Sequence, residues 1–229
     1  MVYLRRSHER GLSNLGWLQS CHTFSFGNYY DPDHMGVSML RVINDDQVQP
    51  RAGFATHSHR DMEIISYVKQ GTIEHKDSMG NIEVLPAGEF QLMSAGTGVT
   101  HSEYNPSDAE ALFFLQIWIQ PDKLGIKPGY QQKSFELNKG LTSIVSPDGR
   151  NGTLKIHQDA YLYQLRLERG QTEQHALDAG RTTYVHVISG SLGVNEYLLE
   201  AGDGIGLSDV AMIQFDAQEA IEALCFNLP

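Results

Sequence analysis

The sequence predicts an all-β chain built from two tandem, similar β units, and three observations carry that prediction. Helical periodicity is scarce. Short alternating or β-branched runs recur, separated roughly every 8–12 residues by Gly, Asn, Asp or Pro, which is the pattern of a sandwich or barrel. The two halves of the chain also repeat one another.

The runs follow in order. Val37–Ile43 ends at the turn Asn44-Asp45-Asp46, and Met62–Val68 ends at Gln70-Gly71. Met79-Gly80-Asn81 and Pro86-Ala87-Gly88 set off Phe90–Met93, after which Leu112–Ile119 is the longest apolar run. Pro147-Asp148-Gly149 and Asn151-Gly152 precede Leu154–His157 and Tyr161–Leu167, and Tyr184–Ile188 and Ala223–Leu228 complete the set. These dipeptides favour turns because Gly supplies positive φ and Asn and Asp bond their own backbone.

The repeat is explicit. Leu85-Pro86-Ala87-Gly88-Glu89 matches Leu199-Glu200-Ala201-Gly202-Asp203, and Tyr67-Val68 before Gly71 matches His186-Val187 before Gly190. A duplicated sandwich accounts for this more simply than one irregular domain. The junction falls within Gln120–Leu141, where Pro121, Gly125, Pro128 and Gly129 interrupt the strand pattern, giving domains 1–130 and 131–229.

Composition bounds the function. The 229 residues carry 17 Lys and Arg against 28 Asp and Glu, a net charge of −11, which argues against a nucleic-acid surface, since that needs a basic stripe. No stretch approaches the ~18 consecutive apolar residues of a membrane helix. No secretory signal is read at the start, and two cysteines at opposite ends give no disulfide framework, so a cytoplasmic address is expected.

The ten histidines are the chemical signal. His57-Ser58-His59 sets two imidazoles at i and i+2, and alternate side chains of a strand project to one face. His101-Ser102-Glu103 repeats that spacing. Together they offer three nitrogen ligands and one carboxylate, a set that suits one divalent transition metal: Fe(II), Mn, Co, Ni, Cu or Zn.

His57-x-His59-x3-Glu63 followed by Gly71 resembles the first cupin motif, and Gly98-x-x-His101-x3-Asn105 resembles the second. Within cupins the chain resembles the pirin family, and particularly its quercetinase-like bacterial members. Gly16-Trp17-Leu18, His22 to Phe26, Tyr30-Asp31-Pro32, His57 to Glu63 and Met93 to Glu103 carry that resemblance. It implies a bicupin of two jelly-roll domains, with a metal, usually iron, in the N-terminal one only. Many cupins take their carboxylate ligand from the position of Glu63, whereas the pirin resemblance implies ligation by His57, His59, His101 and Glu103, with Glu63 close enough to orient a histidine or a bound water.

The implied activity is quercetin 2,3-dioxygenase chemistry on a small flavonol-like aromatic with O2, releasing CO, with Glu103 as proton acceptor. The alternative is a metal-binding regulatory or redox-sensing protein that acts through a protein partner. Two cupins in one chain favour a monomer, with no membrane or nucleic-acid partner. The chain departs from the general cupin pattern at Arg51, where a glycine is expected and Gly53 stands nearby, and at Gly96, where a proline is expected.

Other residues read as structural. Cys21 is expected to be a buried apolar cysteine, and Gly202-Asp203-Gly204-Ile205-Gly206 a β-turn rather than a dinucleotide loop. Phe24, Phe26, Tyr29 and Tyr30 are expected to pack in the core and between barrels. His75 is placed in a solvated loop. In the second copy the ligand positions fall near Ala176–Asp178 and Phe215, so His157, His175 and His186 read as structural or solvated, with His186 facing water.

Overall fold

The computed structural model describes residues 1–136 and 138–229; Leu137, inside the expected junction, lies outside the described residues. Apart from two single-turn 3-10 segments, Ser7–Glu9 and Arg150–Gly152, the regular structure of the described residues is β. Strand β1 (Val2–Arg5) opens the chain. It is followed by β2 (Gly11–Asn14), β3 (Leu18–His22), β4 (Leu40–Val48), β5 (Gly53–His59), β6 (Glu63–Gln70) and β7 (Thr72–Asp77). Then come β8 (Ile82–Pro86), β9 (Glu89–Ser94), β10 (Val99–Tyr104), β11 (Leu112–Ile119) and β12 (Gly129–Ser134). The second half contributes β13 (Gly140–Ser146), β14 (Leu154–Lys155), β15 (Tyr161–Leu167), β16 (Thr172–Ala176) and β17 (Thr182–Ser189). It ends with β18 (Leu192–Val194), β19 (Tyr197–Leu199), β20 (Gly204–Ser208), β21 (Met212–Ala217) and β22 (Ile221–Leu228).

Two compact units result, each with a seven-stranded and a four-stranded sheet. The first comprises Gly11–Phe135 and Ile156–Gln158, with sheet orders β12-β9-β6-β11-β4-β3-β2 and β5-β10-β7-β8. The second comprises Met1–Arg10, Glu136–Lys155 and Asp159–Pro229, with orders β1-β20-β17-β22-β15-β13-β14 and β16-β21-β18-β19. The shared order β9-β6-β11-β4 and β20-β17-β22-β15 is the repeat seen in the sequence. The fold is the expected all-β pair of cupin jelly rolls.

A cut at 130/131 is linear, whereas these units are not. β1 pairs with β20, Val2 opposite Leu207 and Arg5 opposite Gly204, which assigns the first ten residues to the second unit. Arg6 fixes the join by an ion pair of 2.7 Å to Asp203, whose other oxygen accepts the Ser7 N–H.

Inside the first unit the inward-facing residues are stratified. Along β11, Leu112 and Phe114 belong to one apolar cluster with Leu18, Val48, Val68, Ile73 and Leu85. Trp118 packs on a second cluster of Ile64, Met93, Ala95 and Val99. Gln116 lies between them, opposite Ser66 on β6 and Asn44 on β4. Strand alternation therefore builds a polar belt between two apolar layers.

Candidate metal centre

The four-stranded sheet of the first unit brings the two sequence pairs together. β10 lies between β5 and β7, so His101 stands opposite His57 on one side and Asp77 on the other. A bulge between His101 and Glu103 then sets Glu103 opposite Phe54 and His75. Gly53 makes this approach feasible, because a Cβ there would lie 2.3 Å from the Glu103 carbonyl oxygen and 2.5 Å from Tyr104 Cα. It supplies the small residue whose place in the usual cupin spacing Arg51 occupies.

His57, His59 and His101 converge. Their ring centroids are 4.5–4.9 Å apart, and the Nε2 atoms of His57 and His101 lie 3.1 Å from one another. The Nδ1–H of His57 donates to the Ala55 carbonyl at 2.8 Å, which leaves Nε2 as the lone-pair nitrogen facing the other rings. Burial, helped by the neighbouring imidazoles, lowers His59 to about 4 and His101 to about 3. Both rings are therefore uncharged at neutral pH, the state a metal ligand requires. One ligating nitrogen from each of the three lies within 4.8 Å of the others, so the donor set fits a divalent transition metal.

Glu103 is buried, and it groups with His75 and His101 rather than with His57 and His59. Ser66 donates to its Oε1 at 3.2 Å, while Oε2 has no partner. Burial raises its carboxyl above the usual range, against the opposing pull of His75, His57 and hydrogen bonds from Ser66 and Gln116. Glu63 faces elsewhere. Ser94 donates to its Oε2 at 2.9 Å and the His157 N–H at 3.3 Å, with His157 Nδ1 at 3.5 Å from Oε1. The inward residues of β6 are Ile64, Ser66 and Val68, so alternation turns Glu63 away from the histidines.

Three further placements differ from the sequence reading. His75 is on β7, fully buried, with its Nε2 3.1 Å from Asp77 Oδ2. The signal was available, since Ile73, His75 and Asp77 alternate on one face. His186 is buried rather than turned to water. Of the aromatic group, Phe24 is core and Tyr30 is 72% exposed. Phe26 meets Trp118 edge-on at 5.3 Å, and Trp118 in turn meets His59 at 5.0 Å, so these two rings wall the site. Cys21 is half-buried and Cys225 buried, and both are free thiols. A recess of about 500 Å³ adjoins His59, lined by Ser58, Arg60, Ser78, Gly98, Val99 and Thr100.

Among the described residues, both side-chain groups able to hold a metal lie in the first unit. In the second, His175 pairs with Ile213 and Glu173 with Phe215, and Phe215 is fully buried in an apolar cluster. Fold and site together define a bicupin whose imidazole cluster is confined to its first barrel.

Comparison with known proteins gives the family. The Pirin family matches residues 4–119, and the family described as the quercetinase C-terminal cupin domain matches residues 143–228. The chain belongs to the pirin family. It is 50% identical over 229 residues to quercetin 2,3-dioxygenase of Escherichia coli K12, covering all of this chain and 99% of that one. The crystal structure of YhhW from Escherichia coli superposes with a TM-score of 0.99 at 50% identity, over 100% of this chain and 98% of that chain. A second structure, of the bacterial pirin YhhW in complex with nickel(II), gives 0.97 over 100% and 99%. YhaK, also from Escherichia coli, gives 0.79 at 30% identity over 96% and 98%.

Proposed function

We propose that this chain is a quercetin 2,3-dioxygenase-like enzyme that opens the heterocycle of a flavonol with O2 and releases CO. The observation that carries the reading is the convergence of three imidazoles beside a recess, in a chain half-identical along its whole length to a quercetin 2,3-dioxygenase. In this reading His57, His59 and His101 hold one divalent transition metal, Fe(II) by family resemblance, with Glu103 as the carboxylate ligand. The nickel(II) complex of YhhW supports a divalent ion of this kind. Glu103 reaches the ligand position by turning about its side-chain torsions, since its carboxylate groups with His75 and His101.

When bound, the metal supplies Lewis-acid polarisation of a coordinated hydroxyl and redox capacity toward O2. The protein does the rest. Glu103 accepts the proton of the flavonol 3-hydroxyl at its carboxylate, and burial suits it to that task by raising its proton affinity. Trp118 and Phe26 present an apolar wall that keeps water from the reacting ring. The recess beside His59 admits the substrate edge.

The test is aerobic loss of the flavonol absorbance band with metal-reconstituted protein, alongside measured CO. A flavonol spectrum that shifts on mixing and then stays constant would reduce the protein to a ligand-binding cupin.

A further inference from the structure

His75 belongs to neither sequence motif, yet it is fully buried in the belt beneath the imidazole cluster. Its ring lies 5.3 Å from that of His101 and 4.7 Å from that of Tyr130. Asp77 Oδ2 is 3.1 Å from its Nε2. Asp77 is itself pinned, accepting from the Met79 and Asn81 N–H groups on Oδ1 and from Asn81 Nδ2 on Oδ2. Burial opposes its ionisation, but these bonds outweigh that and hold its carboxyl below the usual range. A carboxylate so placed accepts a hydrogen bond from the Nε2–H of His75 and fixes the tautomer, leaving Nδ1 as a bare acceptor.

Three buried atoms of this group have no hydrogen-bond partner: His75 Nδ1, His101 Nδ1 and Glu103 Oε2. One ligating atom of each side chain lies within 4.8 Å of the other two, inside the roughly 5.6 Å that two bonds through one water span. Their chemistry is complementary. With Nε2 of His101 turned to the other imidazoles, its Nδ1 carries the proton. One water among these atoms would accept from that N–H and donate to His75 Nδ1 and Glu103 Oε2, the three bonds typical of a buried water.

We propose that the Asp77–His75 pair is a positioning device for the metal centre, holding the His101 ring in ligating orientation through one bridging water that also bonds the Glu103 carboxylate. This rests on the metal centre argued above but not on the oxygenase reading.

The test separates the two nitrogens of His75. In His75→Gln the amide nitrogen occupies the place of Nε2, so the Asp77 contact survives and the inward acceptor is lost. In His75→Asn the amide oxygen occupies the place of Nδ1, so the acceptor survives and the Asp77 contact is lost. Competition with a chromophoric chelator measures the Ni(II) dissociation constant of each. We expect His75→Gln to weaken Ni(II) binding about 10–100-fold, the usual cost of losing such a partner, and His75→Asn to stay within a few-fold of the parent.

A purely structural role predicts the opposite order. Ni(II) binding by His75→Gln equal to the parent, or equal losses in both variants, overturns the proposal. Should His75→Gln fail to fold, the crystal structure of the Ni(II)-loaded parent decides: a water bonded to both His75 Nδ1 and His101 Nδ1 supports the proposal, and its absence overturns it. A parent that binds no Ni(II) sinks the metal centre and this proposal together. Bound Ni(II) without flavonol turnover strikes only the oxygenase reading.

Discussion

Replacing Glu103 by Gln probes the proposed chemistry most directly, because it removes a charge and a base while keeping the side chain's shape. Glu103 is 2% exposed, so no bulk water replaces it as proton acceptor. The Ser66 bond to Oε1 survives if the amide oxygen takes that position. The three imidazoles form a group of ligating atoms without Glu103, so the variant still binds the divalent ion. What disappears is general-base assistance, worth about 10²–10⁴ in rate, which is about 3–5 kcal/mol on the barrier. The assay follows aerobic flavonol loss at saturating metal, with metal content measured on the same sample by elemental analysis. We expect near-full metal occupancy and turnover reduced about 10²–10⁴-fold. Undiminished turnover at full occupancy would refute the base role. Glu63→Gln serves as the comparison, because its partners are Ser94 and His157.

Burial pushes Asp46 up to about 7 from an ordinary 3.8, so ionising it costs the fold stability as pH rises through that interval. In metal-free protein, Asp46→Asn should therefore shrink the stability lost between pH 5 and pH 8 by up to about 3 kcal/mol in urea denaturation, and an unchanged pH dependence would count against it. Gly53→Ala places a methyl group against the backbone of Glu103 and Tyr104, and the separation of β5 from β10 should cost about 1–3 kcal/mol with weaker Ni(II) binding, both measurable by calorimetry. Deleting Met1–Arg6 strips β1 from β20 and removes the Asp203 ion pair, so amide exchange should accelerate at Gly204–Ser208 while Ni(II) binding is kept. Unaltered exchange there would show that the edge strand contributes nothing.

The histidine pairs were legible because i, i+2 spacing on a strand has one geometric meaning. The meeting of His57 with His101 was not, since cross-strand register leaves no local trace; motif resemblance supplied it. Glu63 shows where patterning fails. Every residue from Glu63 to Val68 is buried, so the strand carries no contrast between inward and outward faces. His75 was missed although a signal existed: its segment reads as a solvated loop, whereas Ile73, His75 and Asp77 alternate along β7, with Ile73 and His75 both fully buried. The attachment of β1 to the second unit had no sequence signal, because Val2 and its partner Leu207 are two hundred residues apart.

Aligning the two units by strand register explains why only one holds a candidate centre. In the first, Ser66 pairs with Gln116 and Gln91. At the same crossing in the second, Val185 pairs with Cys225 and Ile205, all in one continuous apolar cluster. Three polar positions have become three apolar ones, and Phe215 fills the region that His101 occupies in the first unit. The substitution closes the interior, since apolar side chains need no partners and pack to full density. The first unit cannot close in this way. Its belt retains Asp46 Oδ1, Gln91 Nε2, His75 Nδ1 and Glu103 Oε2 as buried polar atoms without protein partners, each costing about 1–3 kcal/mol unless something binds it. Those groups offer a ligand its partners, whereas the same strand crossing in the duplicated unit is filled by apolar side chains that offer none.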